Sequence, residues 1–71
     1  MDASKRLLML CNEGNGRITR YPKNLHKLDN GVEHYFVEVT CSDGIQYGLQ
    51  AYGREAISLY KETMKTLGKI N

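Results

Sequence analysis

Seventy-one residues accommodate one domain, residues 1–71, and no second one. A chain this short buries only about 60% of the surface its unfolded form exposes, so the core is thin and a stability of a few kcal/mol is expected. Ten Lys and Arg against eight Asp and Glu give a net charge of +2, far from the balance of a strongly basic nucleic-acid binder, so any basic footprint has to be local.

With 41% hydrophobic and 25% charged residues the composition is that of a globular domain, which argues against disorder except at the ends. A homodimer or a bound partner is compatible with so small a core but not required by it. No apolar run approaches the length of a membrane span.

Residues 2 to 13 consist of helix formers without a β-branched residue, and Asp2 or Ser4 is placed to cap the first turn. The pattern predicts a short helix that stops at Gly14 and Gly16, with a strand over Leu7 to Cys11 as the rival. The apolar run after Lys5-Arg6 is too short for a signal segment, and a cytoplasmic protein is expected. Arg17 to Tyr21 alternates like an edge strand that Pro22 prevents from continuing as a central one, and Asn24 to Leu28 reads as a second short strand. Asp29-Asn30-Gly31 predicts a tight turn.

The strongest local signal is a hairpin, Tyr35 to Cys41 and Ile45 to Ala51 around Ser42-Asp43-Gly44. A period of two puts Tyr35, Val37, Val39 and Cys41 on one face, matched by Ile45, Tyr47, Leu49 and Ala51. The other face carries His34, Phe36, Glu38, Thr40, Gln46, Gly48 and Gln50. From Gly53 to Leu67, Ala56, Ile57, Tyr60, Met64 and Leu67 recur at helical spacing, with Gly68 at the stop.

The expected fold class is α+β, a three-stranded antiparallel sheet packed against a C-terminal helix, with the short N-terminal helix completing the same layer (α-β-β-β-α). Val37, Val39, Ile45, Leu49, Ala56, Tyr60 and Met64 are expected to form one core.

No catalytic constellation is legible. His26 and His34 lack metal-ligand spacing to a cysteine or carboxylate, Gly14-Asn15-Gly16 is too short for a phosphate loop, and Cys11 and Cys41 sit in apolar patterns as buried free thiols. Neither enzyme activity nor a cofactor is expected.

Three surfaces remain. Arg54, Ser58, Lys61, Lys65 and Lys69 align along one ridge of the C-terminal helix, suited to phosphates or simply solvated. Arg17, Arg20, Lys23, His26 and Lys27, interleaved with Tyr21, form a second basic cluster suited to phosphate contact and stacking. Phe36 beside His34, with Gln46 and Gln50, offers a partner-binding face, unless the first helix covers Phe36 as core.

The residues Tyr35-x-Val37-x-Val39, Gly44, Tyr47-Gly48-Leu49, Tyr52 and Glu55-Ala56-Ile57-x-x-Tyr60 resemble the plant ethylene-response-factor domain and the arm-type N-terminal domain of tyrosine integrases. The likeness covers residues 31–60, about half the chain, and rests on fold positions. It implies a sheet that presents one face to DNA, but the hairpin offers Glu38, Gln46, Gln50, His34 and Phe36 there instead of arginines, so no contact residue carries over. The order of helix, three strands and helix is also similar to the double-stranded RNA-binding domain, whose lysine pair is replaced by Gly53-Arg54-Glu55.

Two functions follow as expectations. One is a nucleic-acid-binding accessory protein that contacts DNA or RNA phosphates through the helix ridge. The other is a small regulator or inhibitor, phage or mobile-element encoded, that binds a host protein.

Overall fold

The computed structural model describes residues 2–68. The elements run α1 (Ala3–Asn12), β1 (Arg17–Arg20), β2 (His26–Lys27), β3 (Glu33–Thr40), β4 (Gln46–Tyr52) and α2 (Arg54–Thr66). The α+β fold expected from the sequence is present: a helix, an antiparallel sheet and a second helix, with residues 7–11 helical.

Asp2 caps α1, its carboxylate accepting from the Lys5 backbone N–H at 3.0 Å and from Ser4 Oγ at 2.9 Å. These bonds, the backbone one first, hold the Asp2 carboxyl below its ordinary range. At the other end the N–H groups of Gly14 and Gly16 both donate to the Leu10 carbonyl, folding the chain back over the sheet. A Cβ on Gly16 would lie 2.7 Å from both Leu10 O and Val39 Cγ1, so only glycine permits this approach.

β3 is the centre of the sheet. β4 pairs along its whole length on one edge, from His34 opposite Tyr52 to Thr40 opposite Gln46. β1 and β2 share the other edge, β1 against Glu38–Thr40 and β2 against Glu33–His34. The expected third strand is therefore broken in two around Pro22, and between the pieces Tyr35, Phe36 and Val37 have no partner on that edge.

The inner face of the sheet buries Tyr35, Val37, Val39, Leu49 and Ala51 against Ala3 and Leu7 of α1 and Ala56, Leu59 and Met64 of α2. Two core assignments change. Ile45 has the inward parity but sits at the end of the sheet beyond the helices and is 51% exposed, whereas its neighbour Cys41 is covered by the turn at Gly14. On α2 the buried residues are Ala56, Leu59, Thr63 and Met64, while Ile57, Tyr60 and Leu67 are only partly buried. Thr63 is tolerated there because its hydroxyl donates to the Leu59 carbonyl at 2.7 Å.

Gly53 joins β4 to α2. Its N–H donates to the Glu33 carbonyl at 2.8 Å, closing the ladder, and its carbonyl accepts from Ala56 and Ile57 to open the helix. Doing both requires φ 64° and ψ −135°, a conformation open essentially to glycine alone. Among the described residues no helix is long and apolar enough to cross a membrane.

Tyr35, fully buried, packs edge-on against Tyr60 at 5.2 Å, and its hydroxyl donates to the Pro22 carbonyl at 2.6 Å. This bond anchors the break between β1 and β2 to the centre of the sheet. Burial pushes the phenol up to about 12, with Tyr60 and Tyr21 adding to the effect.

The unfolded chain thus releases this proton near the ordinary pH of about 10 while the native state retains it. The stabilisation is complete below pH 10 and is lost as pH rises to 12. Tyr35→Phe should cost about 1–2 kcal/mol at neutral pH, a lower melting temperature by about 5–15 °C. Thermal melts should show the gap to wild type closing above pH 10, and a gap independent of pH would mean that the phenol does not titrate in this way.

Candidate functional site

Both helices lie against the inner face of the sheet, and no described element covers the outer one. Phe36 is therefore not covered by α1. Its alternation with Tyr35 and Val37, both fully buried, puts it on the open side, where it is half-buried by neighbours in the sheet.

The outer face is divided along the strands. At one end a row crosses three of them: His26 of β2 lies opposite His34 of β3, which lies opposite Tyr52 of β4. The His34 ring is 4.7 Å from that of Tyr52 and 6.4 Å from those of His26 and Phe36. Gln50, opposite Phe36, fixes the row, its amide oxygen accepting from His34 Nε2 at 3.0 Å. Tyr52 is 56% exposed.

The other end is polar and basic, and β1 makes it so. A strictly alternating strand would point Arg17 and Arg20, three residues apart, to opposite faces. The register shifts between Ile18 and Arg20, so Thr19 is an extra residue, and Arg17 stands opposite Thr40 while Arg20 stands opposite Glu38. Both arginines thereby occupy the outer face, and both are exposed. Thr19 holds the bulge, its hydroxyl donating to the Glu38 carbonyl at 3.3 Å and lying 3.2 Å from Thr40 Oγ1. The expectation that this face lacks arginines is corrected: it considered the hairpin alone, and the third strand supplies them.

The same bulge turns the next residue inward. Tyr21 packs against the core and is not available for stacking as the sequence suggested. The second basic cluster is also divided. Arg17, Arg20 and His26 share the outer face, Lys23 lies in the connection after Pro22, and Lys27 stands opposite Glu33, whose parity is that of the inner face. The break between β1 and β2 opens a shallow groove of about 460 Å3 in which Lys23, Leu25, His26, His34 and Phe36 meet. Gln46, opposite Thr40, stands at the basic end, apart from Phe36, His34 and Gln50.

On α2, Arg54, Ser58, Lys61 and Lys65 are exposed along the side opposite Ala56, Leu59 and Thr63. Lys69 lies outside the described residues. The helix ridge thus points away from the sheet, and a short, straight ligand cannot lie along both the ridge and the outer face. Glu55 and Glu62 flank the ridge on α2, whereas among the described strand residues of the outer face Arg17 and Arg20 stand against the one carboxylate of Glu38.

Both thiols are free, Cys41 buried and Cys11 half-buried. Loss of solvent, and then the proximity of Cys41, raises the Cys11 thiol, which disfavours the nucleophilic thiolate. Among the described residues no group of three or more His, Cys, Asp or Glu could hold a metal ion. No family model, curated protein or solved structure matches the chain.

Proposed function

We propose that this chain is a small nucleic-acid-binding accessory protein of the cytoplasm. The observation that carries the reading is the bulge at Thr19, which sets Arg17 and Arg20 on the same open face as an aromatic row. Basic side chains position a phosphate backbone and aromatic rings meet bases or sugars, so the two together suit a polynucleotide. The resembled DNA-binding units present the corresponding sheet face to their ligand. The α2 ridge of Arg54, Lys61 and Lys65 is a second phosphate-binding surface in this reading, reached by a separate strand or by one long enough to wrap.

A second reading is favoured by Glu38 at the middle of the face and by Phe36 beside the groove. A carboxylate repels phosphates, and a half-buried aromatic in a groove is a common anchor for a protein partner. In that case the chain is a regulator or inhibitor of a host protein, phage or mobile-element encoded, and Phe36, His34, Gln46 and Gln50 are its contact residues.

Fluorescence anisotropy with labelled DNA and RNA separates the two. Nucleic-acid binding predicts a dissociation constant below about 10⁻⁴ M at physiological salt. Weaker association with every oligonucleotide would hand the face to a protein partner.

A further inference from the structure

We propose that the outer face selects single-stranded over double-stranded nucleic acid by stacking unpaired bases on Phe36 and Tyr52, an inference that rests on the nucleic-acid reading above. In a duplex the faces of the bases are already stacked on one another and only their edges reach the grooves. A ring can stack on a base only where that base is free, as in a single strand.

Edge reading of a duplex would need polar side chains reaching out from the centre of the sheet, and at that end of the face the side chains are rings: His26, His34, Tyr52 and Phe36. The one long amide among them, Gln50, is engaged by His34 at 3.0 Å.

The dimensions agree. Phe36 and His34 are alternate residues of one strand, about 7 Å apart along it, and Tyr52 lies across from His34. Phe36 and Tyr52 thus stand on either side of the His34 ring, and the groove of about 460 Å3 beside Phe36 has room for a base turned into the break between β1 and β2. Arg17 and Arg20 lie further along the same face and Lys23 borders the groove, so cations flank the path of the backbone on the β1 and β2 side. An extended peptide pairing with that edge of β3 would meet β1 and β2 already in place, with only the three residues Tyr35, Phe36 and Val37 left unpaired.

The test uses the full chain with labelled oligo-deoxythymidine, oligo-uridine and a mixed-sequence DNA duplex, each about ten nucleotides long. The variants are Tyr52→Leu, at a position 56% exposed, and Phe36→Leu, which keeps an apolar side chain but removes the ring. Single strands should bind at least about tenfold more tightly than the duplex, and each variant should weaken single-strand binding by roughly 5- to 150-fold. Duplex binding should stay within about twofold of wild type.

Deoxy and ribo strands are equivalent for this mechanism, and their ratio shows which is preferred. If Phe36→Leu lowers the melting temperature, the mostly exposed Tyr52→Leu decides alone. Equal or tighter binding of the duplex, or single-strand affinity unchanged in Tyr52→Leu, overturns the stacking proposal and leaves the nucleic-acid reading standing. Absence of binding to all three ligands overturns both.

Discussion

Alanine at Leu59 or at Leu49 is expected to remove a large share of the protein's stability. Both side chains are essentially fully buried, Leu59 in the helix layer and Leu49 on the inner face of the sheet. Removing three carbons from such a site costs about 2–5 kcal/mol, the lost transfer free energy plus the cavity left behind. For a domain of this size the total stability is about 4–10 kcal/mol, so one substitution takes away up to half or more. The melting temperature should fall by about 10–30 °C. Ile45→Ala is the control, because that side chain is 51% exposed and its loss should cost under about 1 kcal/mol. Equal destabilisation by Ile45→Ala and Leu59→Ala would contradict the packing described.

That contrast marks where the sequence stops being informative about the core. A period of two placed Tyr35, Val37, Val39 and Leu49 correctly because the pleat leaves an alternating strand no other choice. It assigned Ile45 to the same face, also correctly by parity, but parity says nothing about whether a helix reaches that far. Of the α2 stripe, Ala56 and Met64 are buried as expected, whereas Ile57, Tyr60 and Leu67 lie at the margin of the buried arc. Neither Leu59 nor Thr63 belongs to that stripe, and a threonine can occupy a core only through a hydroxyl bond that composition does not reveal.

Arg17→Gln combined with Arg20→Gln is expected to weaken nucleic-acid binding by roughly ten- to thirtyfold at physiological salt, if each arginine neutralises one phosphate. Stability should change by no more than about 0.5 kcal/mol, since both side chains are exposed. Lys61→Gln, Lys65→Gln and Lys69→Gln together should likewise leave the melting temperature nearly unchanged, because the described members of the ridge lie opposite the core. Their effect on binding should be smaller for a short oligonucleotide than for a long one, which can reach both surfaces.

The candidate site was legible only in part, and for a definite reason. Phe36, His34, Gln46 and Gln50 follow from the hairpin alternation, and the structure puts them on one open face. What the sequence could not show is that a bulge at Thr19 resets the alternation of β1, since an inserted residue leaves no trace in a run of four. That single offset adds Arg20 to the face and withdraws Tyr21 from it. Pro22 did predict the break in the strand. That the break becomes a groove beside Phe36 depends on Tyr35 reaching across to the Pro22 carbonyl, a contact between residues thirteen apart.

The salt dependence of oligonucleotide binding by the wild type and the Arg17→Gln, Arg20→Gln variant tests the central claim most directly. Each phosphate neutralised releases counterions, so the logarithm of the binding constant should fall linearly with the logarithm of salt concentration, by about 0.7 per contact on a single strand. The account predicts a line for the variant that is shallower by about 1.4 units, with the two arginines accounting for the difference. Parallel lines would mean that Arg17 and Arg20 do not face phosphates, and a wild-type affinity that does not respond to salt would contradict nucleic-acid binding by this face altogether.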